Sequence, residues 1–238
     1  TQRLITALSA QTAEGGLYDV DMRLRPSVQK GPVATRLSSF NDYQNGEAWT
    51  WEHLALTRAR VIAGSFRLQD AVEAAVKAVL TRPRDRAVIT ADVRDMRERI
   101  AADKGTTDIW DLKQVRGGLV DLEFIAQHLQ LVTAAGHPEV LDQNTLAALS
   151  RLAKAGAIEP RSCAELTEAG RLFHDLTQIL RLSLDHGFDP KTAPGGLKML
   201  LARAGGAETF EDLESKLKQR LGAVHAAFDA LVCSGRAR

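Results

Sequence analysis

Apolar and charged residues alternate strictly in one short segment near the start of the chain. Residues 18–26 read YDVDMRLRP, with charged side chains at the odd positions. Because successive side chains of a β-strand point to opposite faces, this pattern predicts a strand over 17–25 that ends at Pro26. One face of this strand is then apolar. The other carries two acids followed by two bases: Asp19, Asp21, Arg23 and Arg25.

Helical spacing of apolar residues dominates the rest of the chain. It predicts a helix that follows Gly118 and helices over about 47–63, 66–80, 87–103, 142–155, 160–184, 194–204 and 209–232. The charged stretch TRPRDR at 81–86 contains a proline and marks a boundary. The fold class predicted from these patterns is therefore mainly α.

The predicted helix over 47–63 has apolar residues around nearly its whole circumference. A helix of this kind is usually central and buried. Arg58 falls in the row formed by Trp51, Ala55 and Ile62. An arginine in such a row needs a carboxylate or a bound anion as its partner. Arg58 is therefore a candidate for either a structural ion pair or a phosphate contact.

The composition excludes several classes of protein. The chain has 238 residues, of which 45% are hydrophobic and 26% are charged, as is ordinary for a globular protein. Its net charge of +1 lacks the basic excess of a general nucleic-acid binder. No apolar run reaches membrane-spanning length. From the charge and from this absence, neither a nucleic acid nor a membrane is predicted as a partner. Cys163 and Cys233 share no metal-ligand spacing, which favours a reduced cytoplasmic protein.

The charged face of the predicted strand has two interpretations. Asp21 and Arg23 are near neighbours on that face and would form an ordinary surface ion pair, which contributes little to stability. Alternatively, the face is a phosphate site, because carboxylates hold Mg²⁺ and arginines bind phosphate oxygens in a forked geometry. The pattern alone leaves both interpretations open.

A second candidate site surrounds Gly117-Gly118 in the segment KQVRGGLVDLEF, residues 113–124. A helix start offers free N–H groups and the positive end of the helix dipole, and Arg116 lies beside it. The segment is therefore either an anion site or a simple turn into a helix. Asp121 lies in the first turn, where the dipole alone favours an acid. Lys113 and Glu123 are the other candidate contacts to a phosphate-bearing substrate.

Three blocks taken together resemble the glutamine synthetase adenylyltransferase family. They are GGLYDVDMRLRPS with the following KGPVAT and YQ, then AWTWEHLALTRARVIAG, and then DLKQVRGGLVDLEFIAQHLQL. The resemblance spans about residues 15–232. Members of that family carry two related nucleotidyltransferase halves, one that adds AMP to glutamine synthetase and one that removes it. The segments YDVDMRLRPS and AWTWEH are similar in sequence to the adenylylating, C-terminal half of that family.

The resemblance implies a polymerase-β-like nucleotidyltransferase site with three carboxylates, Mg²⁺ and ATP. Asp21 matches the third carboxylate, so it is the predicted catalytic and metal-binding residue, with Arg23 or Arg25 against phosphate. The implied reaction is attack of a tyrosine hydroxyl of glutamine synthetase on the ATP α-phosphate, with release of pyrophosphate. No Gly-Ser turn with a D-x-D precedes Asp21. We therefore expect that the chain is a fragment and that it transfers AMP inefficiently on its own.

The resemblance also implies two domains. Residues 1–82 match the C-terminal part of the catalytic domain, with a remnant of its sheet. Residues 83–238 match a helical bundle that also occurs in the uridylyltransferases acting on PII proteins. This implies docking of glutamine synthetase or the PII signal protein and a response to glutamine. Two alternative hypotheses therefore remain: a regulatory and docking module, and the deadenylylating half, which removes AMP with phosphate.

Overall fold

The structure is a computed structural model, and it divides the chain into two compact units. It describes residues 2–13, 15, 16, 20, 34–185 and 187–233. Unit 1 is Thr1–Leu80 and unit 2 is Thr81–Arg238. The described residues are predominantly helical, which confirms the predicted mainly α fold class. The strand predicted over 17–25 lies outside the described residues, apart from Val20.

Unit 1 combines one very small sheet with short helices. Its described elements are α1 (Gln2–Ser9), β1 (Gln11–Thr12), β2 (Gly15–Gly16), α2 (Leu37–Gly46), α3 (Thr50–Leu56) and α4 (Phe66–Leu80). The two strands are antiparallel, with Gln11 opposite Gly16. The buried apolar side chains described in unit 1 are few: Leu54, Val79 and Leu80. The helix predicted over 66–80 is confirmed by α4.

The long buried helix predicted over 47–63 is wrong. The helix there, α3, ends at Leu56, and the Thr57 hydroxyl donates to the carbonyl oxygen of Leu54 at 2.7 Å. The amides of Thr57 and Arg58 bond to carbonyls three residues back, which tightens the last turn instead of extending the helix. Trp49 and Ile62, which the prediction placed on this helix, are 70% and 87% exposed.

Unit 2 is a bundle of longer helices. Its described α-helices are α5 (Arg86–Lys104), α6 (Leu119–Thr133), α7 (Thr145–Lys154), α8 (Pro160–Ser183), α9 (Gly195–Ala204) and α10 (Phe210–Phe228). A π-helical turn, Asp229–Cys233, follows α10. The helices predicted from residue 87 onward are thus confirmed, with shifts of a few residues at their ends.

The centre of unit 2 is α6, which packs against α5, α7, α8 and α10. Ten of its fifteen residues are buried, including the polar Asp121, Gln127, His128 and Gln130. Glu123, Gln127 and Gln130 form a polar line at helical spacing, which the sequence alone allows to face either a site or water. Gln130 is instead buried, and its side-chain oxygen accepts from the amide of Asp142 at 2.8 Å, which holds the connection to α7.

An aromatic cluster holds the loop between α5 and α6. The buried Trp110 stacks on Phe210 with ring centroids 5.3 Å apart and meets Phe188 edge-on at 4.7 Å. Its indole N–H donates to Glu214 at 3.2 Å. Because Phe210 and Glu214 both belong to α10, the cluster fixes the loop that leads into Gly117-Gly118 against that helix.

Candidate functional site

The three residues predicted to carry the chemistry on the strand lie outside the described residues. They are Asp21, Arg23 and Arg25. Their roles as metal ligand and phosphate contacts stay predictions that rest on the family resemblance. Within the part of the chain that the structure describes, there is no group of three or more His, Cys, Asp or Glu side chains that could hold a metal ion.

Arg58 does not lie on a buried helix face. It follows the end of α3, and its side chain is exposed. The physical argument that Arg58 requires an anion therefore fails, because that argument applies to a guanidinium buried away from water. The phosphate contact assigned to Arg58 stays a prediction without that support.

The Gly117-Gly118 segment is not an anion site. The amide of Gly117 donates to the carboxylate of Asp121, and the amide of Gly118 donates to the carbonyl oxygen of Val115 at 2.9 Å. The next two amides, of Leu119 and Val120, donate to the carbonyl oxygens of Leu112 and Lys113. The amides of residues 117 to 120 are thus already bonded within the protein, so these four donors are not available to a phosphate.

Asp121 is at the centre of this segment. It is fully buried, and its carboxylate forms an ion pair with Arg97 of α5, which is 1% exposed. The interpretation that the helix dipole alone favours an acid at 121 is therefore wrong. A buried carboxylate needs a paired charge and satisfied lone pairs, and Asp121 obtains both from Arg97 and the Gly117 amide.

The two glycines are required by close packing. Gly117 has φ +79°, and a Cβ atom there would overlap the carbonyl oxygen of Leu221 on α10. A Cβ atom at Gly118 would overlap the carbonyl oxygen of Leu112. The glycine pair therefore brings the start of α6 into backbone contact with α10 and with its own preceding loop.

Arg116 completes the contact between this turn and α10. Its guanidinium lies 3.5 Å from the Asp121 carboxylate, donates to His225 Nε2 at 3.3 Å and sits 5.4 Å from the ring centroid of Phe228. The side chain that the sequence offered as an anion contact is thus engaged by protein groups. The segment joins α5, α6 and α10 and is structural in character.

Lys113 and Glu123 are not brought together in one cavity. Lys113 is exposed and lines a cavity of about 530 Å³ beside the loop that precedes α6. The described lining also includes Trp110, Arg181 and Phe188, but it does not include Glu123, which is half-buried on α6. Contact of these two side chains with a nucleotide stays a prediction.

His128 is a buried polar residue that the sequence analysis did not identify. Its ring lies in α6 without solvent exposure, and its Nε2 forms a hydrogen bond with Thr90 Oγ1 of α5 at 3.0 Å. Burial, with a smaller contribution from the positive charge of Arg86, lowers the pKa of His128 to about 4. Its burial could have been predicted from the sequence, because His128 lies in a helix that is apolar on nearly every side.

We expect the stability of the protein to fall as the pH drops below about 6.5. The unfolded chain binds a proton at His128 with the ordinary pKa, whereas the folded protein resists it down to a pKa of about 4. Between those values the unfolded state holds more protons, so acid favours unfolding. Unfolding by urea at pH 7 and pH 5 is expected to show a loss of roughly 2 kcal/mol from this one group.

Two variants isolate the contribution of His128. In His128→Gln, the loss of unfolding free energy between pH 7 and pH 5 is expected to be smaller by roughly 2 kcal/mol, because glutamine does not titrate. The control His174→Gln removes an exposed imidazole on α8 but keeps His128, so the loss of stability assigned to His128 is expected to persist. Equal profiles for the wild type and His128→Gln would contradict a neutral, buried His128.

Two family models match different parts of the chain. Residues 1–75 match the family model described as glutamate-ammonia ligase adenylyltransferase. Residues 89–232 match the model described as GlnD PII-uridylyltransferase. The chain is thus similar to nucleotidyltransferases over both of these parts. None of the described helices is both long and apolar enough to cross a membrane.

Curated relatives narrow this class. The chain is 52% identical over 232 residues to a protein of Rhodopseudomonas palustris (strain BisB5) named bifunctional glutamine synthetase adenylyltransferase/adenylyl-removing enzyme. Proteins with the same name from Bradyrhizobium diazoefficiens and Xanthobacter autotrophicus are 52% and 48% identical. Each match covers 98% of this chain, whereas the chain spans 23–24% of the length of these relatives. The chain belongs to the glutamine synthetase adenylyltransferase family.

Proposed function

We propose that this chain is part of an enzyme that transfers AMP from MgATP to a tyrosine hydroxyl of glutamine synthetase. The observation that carries the proposal is the 52% sequence identity to a curated adenylyltransferase over 98% of this chain. The adenylylating half is proposed because YDVDMRLRPS and AWTWEH are similar to that half of the family. In this proposal Asp21 binds Mg²⁺, and Arg23 or Arg25 contacts phosphate.

The chemistry proposed for this segment is two-metal phosphoryl transfer. Carboxylates that clamp two metal ions stabilise both the attacking and the leaving oxygen of an in-line displacement. Asp21 would supply one carboxylate, and a longer polypeptide would supply the other two. Unit 1 agrees with such a role because few of its described apolar side chains are buried, whereas Trp49, Ile62 and Phe66 are exposed. On this basis we propose that the chain alone is a poor catalyst.

The second candidate function is a regulatory and docking module. It is supported by unit 2, which has its own extensive core and matches the uridylyltransferase family model over 89–232. In this proposal the helical unit binds glutamine synthetase or the PII signal protein and responds to glutamine. The third hypothesis, phosphorolytic removal of AMP, follows from the second activity in the names of the relatives.

Replacing Asp21 by Asn in a full-length protein that contains this chain is expected to reduce AMP transfer about tenfold or more. Asparagine keeps the size of the side chain but loses the charge that a hard divalent cation requires. The measurement is transfer of labelled AMP from MgATP to glutamine synthetase, with the 238-residue chain assayed in parallel.

The control is Asp42→Asn, which changes an exposed carboxylate on α2 and is expected to leave transfer unchanged. Undiminished transfer by a folded Asp21→Asn variant would contradict the metal-ligand role and favour the docking module. Loss of labelled AMP from modified glutamine synthetase on addition of phosphate, without forward transfer, would instead favour the deadenylylating half.

A further inference from the structure

Asn45 directly precedes Gly46 at the end of α2 in unit 1. The sequence there reads YQNGE, and the side chain of Asn45 and the backbone of Gly46 are both exposed. Gly46 is the last residue of the helix. Helix ends fray, because their terminal residues lack part of the bonding that holds the interior. The backbone of these two residues therefore leaves the helical conformation more readily than the rest of α2.

The peptide unit between Asn45 and Gly46 is open to attack. Asparagine is one of the thermolabile residues of proteins, because its side-chain carbonyl carbon can close a five-membered ring with the next amide nitrogen. Glycine has no Cβ atom to hinder that approach. A Cβ atom added at Gly46 would meet no atom of the described residues within 4 Å, so the surroundings do not block it either.

The other asparagines of the chain, Asn41 and Asn144, lack this combination of features. Asn144 precedes Thr145, whose β-branched side chain crowds the amide that would have to attack. Its side-chain oxygen is also held, since it caps α7 by accepting from two backbone amides at 3.0 Å. Asn41 is half-buried in the interior of α2. Exposure, a helix end and a following glycine coincide at Asn45.

We propose that Asn45 is a site of spontaneous deamidation. The amide nitrogen of Gly46 loses its proton and attacks the side-chain carbonyl carbon of Asn45. A new C–N bond forms, the C–NH2 bond breaks, and the proton leaves with the ammonia that is released. Water then opens the cyclic imide at either of its two carbonyl carbons. The product is aspartate, or isoaspartate when the backbone comes to run through the former side chain.

The modification changes the joint between α2 and α3. Tyr43 donates to the Glu52 carboxylate at 2.8 Å, and the backbone oxygen of Gln44 forms a hydrogen bond with His53 Nε2 at 3.3 Å. Isoaspartate adds a methylene group to the backbone directly after these contacts. Aspartate adds a negative charge at the C-terminal end of α2, where the helix dipole disfavours it. Both products therefore weaken the attachment of α2 to α3.

The test is incubation of the 238-residue chain at pH 7 and pH 9 in water enriched in heavy oxygen, followed by proteolysis and mass spectrometry. Conversion at residue 45 is expected, with oxygen from the solvent in the product. The rate is expected to be higher at pH 9, because the attacking amide must lose its proton. Gly46→Ala is expected to slow conversion about tenfold or more, since the Cβ atom crowds the attacking nitrogen. This variant is expected to fold, because alanine favours a helix and has room at this position.

The control is Asn144 in the same sample, which is expected to keep its amide. An unchanged Asn45 in the folded wild type, or equal conversion in the wild type and Gly46→Ala, would overturn the proposal. Equal conversion of Asn45 and Asn144 would also overturn it, because the structure would then not select the site. The readout is the mass of one peptide and involves none of the residues proposed for AMP transfer, so the outcome is separable from that of the proposed function.

Discussion

Replacing Asp121 by Asn is expected to destabilise unit 2 by about 3–5 kcal/mol, the usual cost of leaving a buried charge unpaired. Arg97 is 1% exposed, so it cannot turn to water when the carboxylate loses its charge. Its Nη2 donates to the carbonyl oxygen of Gln114 at 3.2 Å, but a neutral carbonyl does not balance a full charge. The measurement is the free energy of unfolding in urea at pH 7.

Two comparisons separate the buried pair from a general effect of removing an acid. Asp95→Asn breaks an exposed pair with Arg99 on α5 and is expected to cost less than about 1 kcal/mol. The double variant Arg97→Met with Asp121→Asn removes both charges and is expected to recover most of the lost stability. A single Asp121→Asn variant as stable as Asp95→Asn would contradict the central role of this ion pair.

The periodicity of apolar residues located most helices of unit 2 because those helices are long and amphipathic. It failed at α3, where the end of the helix depends on a Thr57 hydroxyl that bonds to the backbone, a local competition that periodicity does not describe. The rule applied to Arg58, that an arginine in an apolar row needs a partner, holds at Arg97. Arg97 continues the row of Ile89 and Val93, and all three residues are buried.

The partner of Arg97 could not be predicted from spacing. Asp121 lies 24 residues after Arg97 in the sequence. Its role as the partner of Arg97 becomes clear only from the packing of α6 against α5 and α10. The same knowledge decides the role of Gly117-Gly118, since a free helix start binds anions and a buried one does not. The local sequence pattern thus marked the Gly117-Gly118 segment as a candidate site. Only the packing shows that the segment is structural and does not bind an anion.

Replacing Gly117 by Ala is expected to destabilise unit 2 by roughly 2–5 kcal/mol, from two additive causes. A left-handed backbone costs a residue with a Cβ atom about 1–2 kcal/mol, and φ at Gly117 is +79°. The new methyl group would also overlap the carbonyl oxygen of Leu221, so α10 or the turn must shift, at a further cost of about 1–3 kcal/mol. The measurement is the free energy of unfolding in urea, compared between the variant and the wild type.

The control for backbone strain is Gly156→Ala, because Gly156 has a similar φ of +74° with no atom within 4 Å of an added Cβ. This variant is expected to lose only the about 1–2 kcal/mol of the left-handed conformation. The difference between the two variants therefore measures the close approach of the glycine turn to α10. Equal losses would show that the Leu221 carbonyl yields without cost, and the turn would then be an ordinary one whose glycine serves φ alone.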